Sequence, residues 1–187
     1  MNTYNLIKDQ SEFYPLLQEW LQQTRGCSYA KIRKTVLRRQ PDVLGIEFKR
    51  GPENLLRADL HIIEVNIVNN VFSVYQAIGE LEAKSALFAQ KFSLFYAIHP
   101  YLAILETRPF EELKVYANHR KVGLIKLLNE KEISIKSISP PSPIILNNFI
   151  SIDQLEKNSF INSDEKRLLK EAIKVIGWRK IKEIISS

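Results

Sequence analysis

Arg38-Arg39-Gln40-Pro41-Asp42-Val43-Leu44-Gly45-Ile46 opens a stretch that continues through Ile62-Ile63-Glu64-Val65-Asn66-Ile67 to Tyr75-Gln76. The expected architecture turns on these residues. Val43 to Phe48 is rich in β-branched and aromatic residues and predicts a strand. Gly51-Pro52, within the connection from Lys49 to Arg57, predicts a turn. Asp59 to Val68 predicts a second strand, and its nearly unbroken apolar run suggests burial on both faces, as in a central strand. Asn69-Asn70 breaks the run and can cap the next helix. Val71, Val74, Tyr75, Ile78 and Leu81 then recur at three- and four-residue steps, which predicts a helix from about Val71 to Gln90.

On either side of this stretch the elements alternate. Residues 11 to 22 read as a helix, with Ser11 as N-cap, Phe13, Leu16, Leu17 and Trp20 on one face, and Gly26 as the stop. Phe92 to Ile98 reads as a strand ended by Pro100. Phe110 to His119 reads as a helix with Pro109 suited to its first turn. Val122 to Leu127 and Ile133 to Ile138 read as two more strands. The expected fold is α/β, a mixed central β-sheet flanked by helices, with a C-terminal helical extension. Ser139-Pro140-Pro141-Ser142-Pro143 marks the boundary between a core of residues 1–139 and an extension of residues 140–187. In the extension, Ser163 is the expected cap of a helix opening with Asp164-Glu165. Leu168, Leu169, Ala172, Ile173 and Ile176 supply its apolar stripe. This tail either packs back on its own domain or docks a protein partner or a second copy, giving a homodimer.

The 187 residues, 45% hydrophobic and 26% charged, are ordinary for a soluble globular protein. No long apolar run suggests a membrane span. The polar start Met1-Asn2-Thr3-Tyr4-Asn5 lacks the build of a signal peptide. Cys27 is the single cysteine, so a reducing, cytoplasmic setting is expected. The net charge of +6 permits a polyanionic partner. Lys31, Arg33, Lys34, Arg38 and Arg39 gather just before Asp42. Lys31, Lys34 and Arg38 would share a face if this segment were helical, either as a solvated face or as a phosphate-binding surface. His61, His99 and His119 have no metal-ligand spacing.

Asp42 before one strand and Glu64 late in the next can converge at one end of the sheet if the strands pair. Two carboxylates with the Val65 carbonyl make an oxygen donor set suited to Mg²⁺ or Mn²⁺. Asp42 can also be a turn residue or strand-end cap, whereas an unpaired carboxylate at Glu64 in an apolar strand would be costly.

Pro41-Asp42, Glu64-Val65-Asn66 and Tyr75-Gln76-Ala77-Ile78-Gly79-Glu80-Leu81 together resemble the PD-(D/E)XK, or restriction-endonuclease-like, nuclease superfamily over about residues 10 to 140. The resemblance implies a Mg²⁺- or Mn²⁺-dependent DNA endonuclease, of the kind found in mobile elements and defence systems. It implies Asp42, Glu64 and Val65 as metal ligands, Gln76 as an accessory group, and a catalytic lysine where this chain has Asn66. Asparagine can hydrogen-bond a water but carries no charge. The alternative is a catalytically degenerate member that binds nucleic acid or a protein partner. Of the other lysines, Lys49 is roughly 23 Å along the strand from Asp42. Lys84 is about 12 Å beyond Gln76 along the helix and leans back towards the site. Lys84 is therefore the candidate substitute, or else an i,i+4 partner of Glu80.

Overall fold

The computed structural model describes residues 9–67, 70–105, 110–129, 133–156 and 163–187. Val68, Asn69 and Pro109 lie outside them, and so does the Ser163 side chain. The helices are α1 (Tyr14–Gln23), α2 (Val71–Lys91), α3 (Phe110–His119), α4 (Ile152–Glu156), α5 (Ser163–Ile176) and α6 (Trp178–Ser186). The strands are β1 (Tyr29–Ile32), β2 (Val43–Arg50), β3 (Leu56–Asn66), β4 (Ala97–Leu105), β5 (Gly123–Asn129), β6 (Ile133–Ser139) and β7 (Ile144–Ile145). They form one mixed sheet in the order β1-β2-β3-β4-β5-β6, with β7 beside β4. β1, β2 and β3 are antiparallel neighbours, β3, β4 and β5 run parallel, and β6 returns antiparallel to β5. The helices α2 and α3 supply the crossovers that parallel neighbours require.

Strand alternation sends residues to two separate cores. Leu44, Ile46, Leu60, Ile62, Leu102 and Ile104 face α2, α3, α5 and α6, meeting Val74, Ile78, Leu81, Leu113, Leu168, Leu169, Ile181 and Ile185. Val43, Ile63, Val65, Tyr101 and Ala103 face α1, meeting Phe13, Tyr14, Leu17, Trp20 and Leu21. Both faces of β3 are thus covered, as its apolar run predicts. Gly45 is needed at the centre of β2, since a Cβ there would lie 2.9 Å from Cys27 Sγ and 3.0 Å from Leu21 Cδ1. The tail packs inward: β7 joins the sheet, and Leu168, Leu169, Ala172 and Ile173 belong to the same buried cluster as the strands.

Several expectations need correction. Asp9, not Ser11, caps the first helical turn, accepting the Ser11 N–H at 2.9 Å, and the α-helix begins at Tyr14. Tyr29 to Arg39 is not helical. It holds the short strand β1 and then a tight turn in which Val36 and Arg39 exchange backbone hydrogen bonds of 2.8 and 2.9 Å. Leu37 and Arg38 sit at φ 50° and 60° within it, as in a type I′ turn. Lys31, Lys34 and Arg38 therefore share no helix face. Pro100 does not end a strand but lies inside β4, opposite Ile62. On the other edge of β4, β7 pairs with Ala97 and Ile98 and β5 begins at Tyr101. Pro100 falls in that gap, where its missing N–H is tolerated.

Candidate functional site

The register of β2 and β3 brings the two acidic positions together. Val43 opposes Ile63, so Asp42 and Glu64 stand at the same end of the sheet. Their side chains have different surroundings. Asp42 is 8% exposed. Its Oδ1 accepts the Tyr14 hydroxyl at 2.6 Å and its Oδ2 accepts the Val65 N–H at 2.8 Å. The carboxylate thus caps the end of the β2–β3 ladder and ties it to α1. Arg33 completes this corner, with its guanidinium 5.4 Å from the Tyr14 ring centroid and Nη2 3.4 Å from the hydroxyl.

Glu64 faces α2, and the Lys84 ammonium donates to its carboxylate. Burial raises the Glu64 pKa, the Lys84 partner opposes that rise, and the negative charges of Asp42 and Glu80 add to it. The pair lies in a cleft of about 670 Å³ between the Val36–Arg39 turn and α2. Arg38, Arg39, Glu64, Val65, Asn66, Glu80 and Lys84 all line it. Among the described residues, Arg38 and Arg39 have no acidic partner. The cleft therefore sets three cationic side chains beside two carboxylates, Glu64 and Glu80, with Leu81, Leu87 and Leu102 as its apolar lining.

The other expected residues are dispersed. Asn66 Nδ2 donates to the Ser73 carbonyl at 3.1 Å, which fastens the end of β3 to the first turn of α2. Asn70 caps that turn by accepting the Phe72 N–H at 2.9 Å. Gln76 is exposed, donates to Glu80 at 2.9 Å and does not line the cleft. Lys34 leaves for α5, where it pairs with Glu171 at 2.6 Å, and Lys31 is exposed on β1. Lys49 lies at the far end of β2, paired with Glu47 at 2.8 Å. Tyr14, the residue that holds Asp42, has no signal in the sequence beyond its place in an apolar helix face.

A hard divalent cation is compatible with the donor chemistry at the end of β3. Mg²⁺ usually takes one or two carboxylates, with waters and substrate phosphates completing its shell. Glu64, the Val65 carbonyl and Asp42 offer oxygen donors only, and each carboxylate oxygen keeps a second lone pair beyond the bonds named above. Among the described residues, no group of three or more His, Cys, Asp or Glu is placed to hold a metal ion.

A second polar group lies behind this site on the α1 face of the sheet. Parallel pairing sets His61 beside His99, and their rings stack at 4.5 Å. His61 Nε2 is 3.3 Å from Glu47, and His99 Nε2 is 3.5 Å from Asp59, which also takes two hydrogen bonds from Arg57 at 2.9 and 2.6 Å. Burial alone would raise the Asp59 carboxyl, but His99 and Arg57 reverse this and hold it well below the usual range. Burial pushes the His61 imidazole down to about 4, against the opposing hydrogen bond to Glu47. His61 is therefore neutral at neutral pH. The linear spacing of these histidines gave no hint of the stack.

No family model, curated protein or solved structure matches the chain. The fold and the site define a mixed α/β protein with a basic cleft at one end of its sheet. Among the described residues, no helix is long and apolar enough to cross a membrane.

Proposed function

We propose that the chain is a metal-dependent phosphodiesterase of the PD-(D/E)XK type acting on DNA, with Lys84 supplying the ammonium that Asn66 lacks. The observation that carries this reading is the Lys84–Glu64 pair inside a cleft that also holds Arg38 and Arg39. The restriction-endonuclease-like order of elements is part of the same proposal. It draws support from the antiparallel β1–β2–β3 unit followed by two parallel crossovers.

Hydrolysis needs a bound phosphate, an aligned water and compensation of the charge that develops on phosphorus oxygens. Arg38 and Arg39 bind and orient the phosphate backbone. Lys84 holds the attacking water by hydrogen bonding and offsets the developing negative charge from the α2 side. Tyr14 and the Val65 N–H keep Asp42 oriented at the strand end. A divalent cation held by Glu64, Asp42 and the Val65 carbonyl would supply Lewis-acid neutralisation of the phosphate.

The test is cleavage of plasmid and single-stranded DNA with Mg²⁺ or Mn²⁺ by the wild type, Glu64→Ala and Lys84→Ala. Each substitution is expected to lower the rate by on the order of 10²-fold or more. Adding Asn66→Lys to Lys84→Ala is expected to restore part of it. Equal background from wild type and both variants defeats the enzymatic reading. A second reading, a degenerate member that binds nucleic acid without cutting, is favoured by one observation: both Asp42 oxygens are already engaged by protein donors. It predicts salt-sensitive DNA binding that Arg38→Ala and Arg39→Ala weaken, without metal-stimulated cleavage.

A further inference from the structure

The C-terminal helices carry a groove separate from the Glu64–Lys84 cleft. Gly177, at φ 85°, ends α5 and lets α6 begin at once with Trp178. Between α5, α6 and α4 lies a groove of about 850 Å³. Leu155, Ile173 and Trp178 supply its apolar surface, and Lys170, Lys174 and Lys182 supply its cations. Trp178 is 40% exposed, unlike Trp20, which is buried against Tyr101. No acidic side chain lines the groove among the described residues.

The charge on this face is one-sided for a physical reason. Residues 163–187 contain seven Lys and Arg against four Asp and Glu. The acidic ones are turned inward or neutralised locally. Asp164 accepts the Leu37 N–H at 3.0 Å, Glu165 accepts the Leu94 N–H at 2.7 Å, Glu171 pairs with Lys34, and Glu183 pairs with Arg179 and Lys180. Lys174 and Lys182 have no acidic partner among the described residues. Lys166, Lys170 and Lys174 follow one another at four-residue steps along α5, a rise of about 6 Å per step. A smaller shelf of about 340 Å³, lined by Lys166, Arg167 and Glu171 as well, shares Lys170 and Lys174 with the groove. That end of α5 is fastened by Asp164 to Leu37, the residue before Arg38.

We propose that this groove binds single-stranded nucleic acid, with a base stacked on Trp178 and the flanking phosphates on Lys174 and Lys182. An accessible indole accepts any base by its face, and lysines beside it track the backbone without reading sequence. The concavity favours this occupant over an anionic bilayer, which cannot enter it. The exposed indole beside Lys174 and Lys182, which have no acidic partner among the described residues, favours a phosphate chain over a neutral ligand. Binding here does not depend on whether the cleft cuts.

The experiment is anisotropy of short labelled oligo-dT and oligo-U with the full chain in EDTA, where cleavage plays no part. Wild type is expected to bind with a log–log salt slope of about −0.7 per phosphate engaged. Trp178→Ala is expected to weaken binding about tenfold, and Trp178→Phe to retain most of it. Lys174→Glu with Lys182→Glu is expected to reduce the slope by about 1.4. Trp178→Ala changes a part-exposed side chain, and an unchanged urea midpoint checks that it folds. Wild-type affinity in Trp178→Ala, or no binding by the wild type, overturns the proposal. So does equal binding to polyglutamate or phosphatidylserine vesicles that is lost on the same substitutions.

Discussion

Acidification below neutral pH should destabilise this protein through His61. His61 is fully buried, and its imidazole pKa falls from 6.5 to about 4 on folding. Between those values the unfolded chain takes up a proton that the folded chain refuses, so stability falls as pH falls. The full difference is about 3 kcal/mol, and between pH 7.5 and pH 5 linkage gives a loss of about 2 kcal/mol. Glu47 has a lowered pKa and loses its contribution only below that window. Glu64 and Glu165 have pKa values raised by burial and gain stability as pH falls, opposing His61. The comparison with His61→Gln isolates the imidazole, because its amide can still donate to Glu47 and does not titrate. Urea unfolding followed by tryptophan fluorescence at the two pH values gives the four free energies. The wild type should lose about 2 kcal/mol more than the variant. Equal losses in both proteins refute the argument that burial of His61 sets this sensitivity.

Tyr14→Phe should cost about 1–3 kcal/mol, because buried Asp42 Oδ1 loses its 2.6 Å donor. Urea midpoints measure this, and a cost below a few tenths of a kcal/mol would mean that Arg33 or water replaces the hydroxyl. Glu165→Ala should also cost about 1–3 kcal/mol, since the Ser93 and Leu94 N–H groups lose the carboxylate they share. Amide exchange at Ser93 and Leu94 should accelerate in that variant, and unchanged exchange would show that α5 does not depend on this anchor.

Elements with a local signal were legible in the residues themselves. β-Branched and aromatic residues marked β2, a nearly unbroken apolar run marked β3, and three- and four-residue apolar steps marked α2, while α3 was expected with both of its observed ends, Phe110 and His119. Each of these signals lies within a few consecutive residues, so the residue types alone carry it. The expectation that Asp42 and Glu64 share one end of the sheet arises from the same patterns once β2 and β3 pair. Local signals failed at β1, whose four residues sit among charged ones, and at β4, where Pro100 reads as a stop although it occupies a gap between two pairing partners.

What the site residues touch was set by packing between distant segments. Tyr14 meets Asp42 across 28 positions, and Lys84 meets Glu64 across 20. His61 meets His99 only because β3 and β4 pair in that register. Gln76 belongs to the expected motif but points out of the cleft, while Arg38 and Arg39 enter it through a turn at positive φ. The difference is one of range. Periodicity is a property of a few consecutive residues, whereas strand register and helix docking are set by how two whole faces pack and by where buried carboxylates find their donors.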